Sequence, residues 1–273
     1  KFPSSLSTIG KNAFYDCSKL DIIEWNSWNG NVSLDSASFS GVCPDGGVIN
    51  IKNSVNGHDS VELLQHLKSN GGLPQTWGAA LPESVYNIGD DNDILYGFTE
   101  EFLANPSAYS GCDCMLIPAR VTSINIGAFS SISTQKIPSF IKKLIFEEES
   151  KCTSIGINAF ADCSSLTTID LLNCVNLVSL ESQAFAGTSA LKSISLPSSL
   201  TVIHNGMFAQ CTSLNYIAWD ISDDYQTSVS IDHNTFFNMS SSGKVKSLNP
   251  SVTSGELLNW LKLNELPSGW TAA

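Results

Sequence analysis

A chain of 273 residues with 42% hydrophobic content can bury a substantial core, which excludes a disordered polypeptide. The 26 acidic residues against 14 basic ones give a formal net charge of −12, which opposes approach to a phosphate backbone, so no nucleic acid is expected as a partner. No apolar run reaches the length of about 18 residues needed to span a bilayer, so no membrane insertion is expected within this chain. The first residues lack the basic and apolar regions of a signal peptide. The opening at Lys1-Phe2-Pro3, in mid-pattern, reads as that of a fragment or processed piece of something longer.

In chain order, the first element is a coil marked by Leu6, Ile9, Phe14, Cys17, Leu20, Ile23 and Trp25. Apolar residues alternate with polar ones at its end, the period of a strand with one face inward, which turns Glu24 outward. Trp28 follows in an insertion without a copy elsewhere, the best candidate for an exposed aromatic. Asn31-Val32-Ser33, like Asn238-Met239-Ser240 later, fits a glycosylation pattern. A Glu62-Leu63-Leu64 stretch after Ser60 carries leucines at helical spacing and predicts a short capped helix.

From Leu81 to about Pro118 the coil pattern is interrupted. Gly89-Asp90-Asp91-Asn92-Asp93 is rich in oxygen ligands but lacks the Gly and distal Glu of a calcium loop, and reads as a solvated turn. A helix is predicted around Thr99 to Leu103. Cys112-Asp113-Cys114 lacks the second close pair that a structural zinc site requires, and a disulfide there cannot be assigned from spacing. The remaining irregular cysteines, Cys43, Cys152 and Cys174, read as buried or incidental.

Coils resume at Val121, Ile124 and Ala128-Phe129 and then repeat at fixed offsets. Ala159-Phe160, Cys163, Leu166, Ile169 and Leu171 match Ala184-Phe185, Thr188, Leu191, Ile194 and Leu196, and then Met207-Phe208, Cys211, Leu214, Ile217 and Trp219. Phenylalanines recur after 25 residues from Phe160 to Phe185 and after 23 from Phe185 to Phe208, inside the leucine-rich-repeat period. Cys17, Cys163 and Cys211 share one slot, where a small buried thiol packs as an apolar side chain. Glu147-Glu148-Glu149 reads as the solvated end of a coil, and the insertion from Asp220 to Ser228 as a bulge from one edge.

A longer repeat overlies the short one, because residues 2–77 and 196–270 correspond through Trp25 and Trp219, the Glu-Leu-Leu stretches, and Trp77 and Trp270. Those four tryptophans are expected in the core. One coil cannot bury its own apolar set, so neighbours must stack and an open end needs a cap. The fold expected is therefore a leucine-rich-repeat solenoid, with short parallel strands stacked into a curved sheet, loops, short helices and α-helical caps. The expected organisation is the C-terminal part of one module with its helical cap at 1–80, a linker or N-terminal cap at 81–118, the repeats of a second module at 119–240 and a helical cap at 241–273.

Ile9-Gly10-Lys11-Asn12-Ala13-Phe14-Tyr15-Asp16-Cys17-Ser18-Lys19-Leu20 and Ile155-Gly156-Ile157-Asn158-Ala159-Phe160-Ala161-Asp162-Cys163-Ser164-Ser165-Leu166 resemble the BspA-like, or Treponema-type, leucine-rich-repeat family. The resemblance covers roughly 1–40 and 120–238. Members are typically surface or secreted proteins of host-associated bacteria and some protists, several implicated in adhesion. The resemblance implies an extracellular or cell-surface module that binds a protein or glycan, and offers no catalytic residues to carry over. A structural spacer in a longer surface protein and, less favoured, a carrier domain of an enzyme are the alternatives.

The histidines His58, His66, His204 and His233 show no metal-binding spacing, and no phosphate loop is present, so no cofactor and no enzyme activity is expected. The binding candidates are the outward strand positions Glu24, Thr168, Asp170, Ser193, Ser195 and Tyr216, the aromatic Trp28, and Asp220, Asp223 and Asp224 on the edge loop.

Overall fold

A computed structural model describes residues 1–43, 47–52, 59–131 and 134–273. The chain divides into two compact units, residues 1–83 with 106–115 and residues 84–105 with 116–273.

In the larger unit each coil contributes to two parallel ladders. One runs through the strands Lys143–Phe146, Thr168–Asp170, Ser193–Leu196, Tyr216–Trp219, Lys244–Ser247 and Thr271–Ala272. The other runs through the two-residue strands Ser123–Ile124, Ser154–Ile155, Ser179–Leu180, Val202–Ile203 and Ser230–Ile231. The second apolar pair of each repeat is thus a strand of its own. The segment expected as a cap or linker begins this second ladder with an antiparallel hairpin, Tyr86–Ile88 against Ile94–Phe98, whose second strand pairs with Ser123–Ile124. The solvated turn is the hairpin's tip, held by the Gly89 N–H donating to the Ile94 carbonyl at 3.0 Å and by an Arg120–Asp93 ion pair.

The phenylalanine repeat becomes a column of rings. Phe129 and Phe160 stack at 5.2 Å, Phe160 and Phe185 at 5.5 Å, and Phe208 and Phe236 at 6.1 Å between centroids. All are buried, and complete burial of such a side chain is favourable by roughly 2–3 kcal/mol. The rings of Phe160, Phe185, Phe208 and Phe236 are each bracketed by two left-handed residues, at the second position before and the second after, while Phe129 has only Gly127 before it. Asn158 and Asp162 flank Phe160 with φ of 55° and 58°, Gln183 and Gly187 flank Phe185 with 58° and 69°, and Gly206 and Gln210 flank Phe208 with 70° and 63°. Glycine, asparagine and aspartate tolerate this conformation, which explains their use at four of these six positions; glutamine fills the other two.

The cysteine slot is more than an apolar filler. The Cys163 thiol donates to the Phe129 carbonyl at 3.3 Å, the Thr188 hydroxyl to the Phe160 carbonyl at 3.4 Å, and the Cys211 thiol to the Phe185 carbonyl at 3.3 Å. The slot therefore satisfies a buried backbone acceptor on the preceding coil, and both thiol and hydroxyl meet that need. Cys17 departs from the expectation, being exposed. Cys112, Cys152, Cys163, Cys174 and Cys211 are buried free thiols.

Both predicted cap helices form, as Ser60–Asn70 and Ser254–Leu263. Their N-caps are Asp59 and Thr253, one residue before the expected serines, and Thr253 forms a full capping box with Glu256. The serines instead tie each helix to a strand: Ser60 Oγ accepts from the Ile51 N–H at 2.9 Å and Ser254 Oγ from the Ser247 N–H at 3.2 Å. After each helix a buried tryptophan closes the coil. Trp77 Nε1 donates to the Cys43 carbonyl at 3.2 Å, and Trp270 Nε1 to the Ser240 carbonyl at 3.0 Å. The rings lie where a Cβ on Gly47 or Gly243 would stand, at 2.7 and 2.8 Å, so glycine is required at both places. The third predicted helix is present as Glu100–Ala104, capped by the Thr99 hydroxyl.

In the smaller unit, Thr8–Ile9 pairs with Ser33–Leu34, and Ile22–Trp25, Val48–Ile51 and Gly78–Ala79 form a parallel sheet. Phe14 and Phe39 stack at 5.0 Å, and Trp25 and Trp77 lie in the core.

Candidate binding face

Strand register in the larger unit brings most of the predicted residues together. Thr168, Ser193, Tyr216, Lys244 and Thr271 are paired neighbours in one row that starts at Lys143, and Asp170, Ser195, Ala218 and Lys246 form the next row, starting at Ile145. Between these rows Leu144, Ile169, Ile194, Ile217 and Val245 point inward and are buried. Thr168, Asp170, Ser193, Ser195 and Tyr216 are all half-buried, as neighbours on a pleated face shield one another. A polar surface one strand spacing per residue therefore runs across the coils.

The edge loop is not a free bulge. It folds into a short helix, Tyr225–Ser228, whose Tyr225 is buried with its ring 5.1 Å from Trp260 of the cap helix and perpendicular to it. Asn249 Nδ2 donates to the Asp223 carboxylate at 2.8 Å and to the Ile221 carbonyl at 2.7 Å, fixing the loop base. The Ser222 hydroxyl, followed by that of Ser228, holds the Asp224 carboxyl below its ordinary value. Asp223 and Asp224 remain exposed and Asp220 half-buried.

Two predicted residues belong to the smaller unit and are corrected by the structure. Glu24 is only 8% exposed and lies 3.5 Å from the Lys52 ammonium and 3.8 Å from that of Lys1. It is an ion-paired buried group, held between two ammonium groups where the alternation predicts an outward side chain. Trp28 is 3% exposed, its ring 5.6 Å from His66. The reason is that the insertion does have a counterpart: His66 and Trp260 hold the same position in the two cap helices, and Trp28 docks on one as Tyr225 docks on the other. Spacing hid the match because the two loops differ in length.

Glu147 is a further correction. It is buried and accepts from the Ala119 N–H at 3.0 Å, while Glu148 and Glu149 are exposed as expected. The sequons place Asn31 and Asn238 on the exposed surface. His58 lies outside the described residues.

Sequence reasoning passed over one cluster. His204 stands between Glu181, at 3.8 Å from Nε2, and Asp232, at 3.1 Å from Nδ1, on successive coils. Among the described residues no group of three His, Cys, Asp or Glu side chains is arranged to hold a metal ion. Burial pushes Cys112, Cys152 and Cys211 up to about 12, and Cys163 and Cys174 up as well, which keeps these five thiols protonated and poor nucleophiles at neutral pH. A depression of about 330 Å³ on the turn side is lined by Asn158, Asp162, Gln183, Gly187 and Gln210, the bracketing residues of the phenylalanine column. No helix among the described residues is long and apolar enough to cross a membrane.

The sequence profile of the BspA type leucine rich repeat region matches in six copies, over residues 1–60 and 138–254. The chain belongs to this family. The BspA-type match leaves out the hairpin and the coil that carries Phe129, although that coil stacks with the rest. No curated protein matches the chain. Among solved structures it is similar to the pneumococcal vaccine antigen PcpA, at 15% identity over 99% of this chain and 65% of that one, with a TM-score of 0.33. It thus spans less than two thirds of that antigen. It is also similar to a leucine rich cell surface protein from Faecalibacterium prausnitzii, at 18% identity over 84% of this chain and 81% of that one, TM-score 0.29. A leucine-rich repeat protein from Eubacterium ventriosum is similar at 13% identity over 87% and 81%, TM-score 0.30.

Proposed function

We propose that this chain is a non-catalytic binding module displayed on a cell surface or secreted, which holds a protein or glycan partner on the long ladder of its larger unit. The observation that carries the reading is the outward row from Thr168 to Thr271, polar over five strands, with Asp170, Ser195 and Lys246 beside it in a second row interrupted by the buried Ala218. Such a face has no structural duty toward the core, yet it is rigid, since its inward neighbours are packed. Rigid presentation of many shallow polar groups suits recognition of an extended partner more than chemistry on a small one. Membership of a family whose members are typically surface proteins supports the location. Within this reading the chain is organised as the end of one module at 1–80, a linker or N-terminal cap at 81–118, the repeats of the second module at 119–240 and its helical cap at 241–273.

The test is binding of the purified chain to an array of matrix proteins and glycans, beside a denatured control and a Ser193→Gln/Ser195→Gln variant. Both serines point out of the sheet, so the variant keeps its fold while filling the face. A saturable, fold-dependent signal reduced at least about tenfold by the variant supports the reading. A signal that the variant leaves unchanged places the partner elsewhere, and no fold-dependent signal at all favours the spacer.

A further inference from the structure

The charge on this face is opposite to that of the chain. The two rows carry Lys143, Lys244 and Lys246 against the single carboxylate of Asp170, and Lys142 and Lys192 stand immediately before two of their strands, with Glu147 and Asp220 immediately after two, in a chain of net charge −12. Lys142, Lys192, Lys244 and Lys246 are exposed. Backbone pairing links the positions directly: the Lys192 N–H donates to the Thr167 carbonyl, whose own N–H donates to that of Lys142, and the Asn215 N–H donates to the Lys192 carbonyl. At about 4.8 Å per strand, the lysines span four spacings, or about 19 Å, across the coils. The remaining acidic residues of the larger unit lie in turns, loops and caps, for instance Asp162, Glu181, Asp223 and Glu265.

We propose that the sheet face binds an anionic polysaccharide, laid across the strands with its sulfate or carboxylate groups on the lysines. This rests on the binding-module reading and names its partner class. Charge complementarity selects a polyanion, because a partner approaching elsewhere meets like charge, whereas these rows attract it. The chemistry between the lysines selects a sugar chain. Thr168, Ser193 and Ser195 offer hydroxyls at strand spacing, Thr271 extends the row, and Tyr216 places an aromatic ring between Ser193 and Lys244. Hydroxyl groups suit the hydroxyls of a polysaccharide and an aromatic face suits the C–H face of a sugar ring. A peptide strand would instead call for pockets that take alternate side chains along the face, whereas the depression of about 330 Å³ is on the turn side.

The test measures affinity of the full chain for heparin, as the sulfated probe, and for hyaluronate, as the carboxylated one, at low and moderate salt. Lys192→Glu/Lys244→Glu/Lys246→Glu is compared with Lys11→Glu/Lys136→Glu/Lys151→Glu, which changes net charge equally at exposed positions off the rows. The expected result is binding of at least one probe that weakens at least about tenfold between 50 and 200 mM salt, by release of condensed counterions. The face variant loses at least about tenfold in affinity and the control variant less than threefold. Which probe binds tells sulfate from carboxylate recognition. Three results overturn the proposal: neither probe binds, the control variant loses as much as the face variant, or a DNA oligonucleotide of equal charge binds as tightly. If a neutral glycan or a protein binds instead, and Ser193→Gln/Ser195→Gln abolishes it while the lysine variant does not, the polyanion is refuted and the binding face stands. If no array partner, heparin or hyaluronate binds, both readings fail together.

Discussion

Alkali should unfold the larger unit well before it attacks the polypeptide, because its cysteines are buried as neutral thiols. Cys152, Cys163, Cys174 and Cys211 all have their ionisation raised from about 9, chiefly by burial, Cys152 and Cys211 to about 12. Below pH 9 both folded and unfolded thiols are protonated and the full stability is present. Above it the unfolded chain releases protons that the folded one retains, so stability falls as pH rises from about 9 toward about 12. At pH 10 the loss sums to roughly 5–6 kcal/mol over the four thiols, against a total of about 5–15 kcal/mol for a domain. The chain also supplies the control. Thr188 fills the same slot as Cys163 and Cys211 and makes the same bond to the preceding phenylalanine carbonyl. Cys163→Thr/Cys211→Thr should therefore cost less than about 1 kcal/mol each at pH 7, and halve the alkaline loss. Urea unfolding followed by circular dichroism in reductant, at pH 8, 9 and 10, gives the midpoints. A parent midpoint that does not move, or a double variant that loses as much as the parent, refutes the buried-thiol account, since tyrosine and lysine ionisation is common to both proteins.

The same thiols should differ in reach: a maleimide reagent at neutral pH modifies Cys17 rapidly, while Cys163 and Cys211, same slot but covered, react only in denaturant. Mass spectrometry of peptides reads this directly, and fast native labelling of Cys163 would sink it. Gly243→Ala should destabilise the second cap by about 1–3 kcal/mol, because the new methyl meets the Asn215 carbonyl at 2.7 Å and the Trp270 ring at 2.8 Å. Urea unfolding followed by Trp270 fluorescence reports it, and an unchanged midpoint contradicts the close approach. Thr253→Ala removes the capping box and should cost about 1 kcal/mol, with amide exchange in the helix Ser254–Leu263 as the check.

How much of this was legible in the sequence depends on whether a feature recurs. Inward strand positions repeat at fixed offsets, so Ile169, Ile194 and Ile217 fall in one core stripe and their neighbours on one face, as the register has them. The cap helices were legible because Glu-Leu-Leu occurs twice. The cysteine slot was found by offset but given only half its role, since its hydrogen bond goes to a carbonyl one coil away. The signal was nevertheless present: threonine in one of the slots implies a donor that an apolar site would not tolerate. Glu24 and Trp28 failed for a different reason. Alternation tells which way a strand residue points, and says nothing of what another segment lays over it.

The basic face was invisible for the converse reason. Net charge is a sum, and −12 hides lysines of one face as long as they sit far apart along the chain: Lys143 and Lys246 are more than a hundred residues apart and share one sheet. A solenoid converts a sequence period into spatial adjacency, so the charge that a partner meets is the charge at one phase of the repeat. Reading the phase before the buried strand residue, which gives Lys143, Thr168, Ser193, Tyr216 and Lys244, exposes a basic and hydroxylated stripe in an acidic chain. In a repeat protein the electrostatic argument about partners therefore belongs to each phase separately, and a polyanion rejected by the whole chain is compatible with one of its faces.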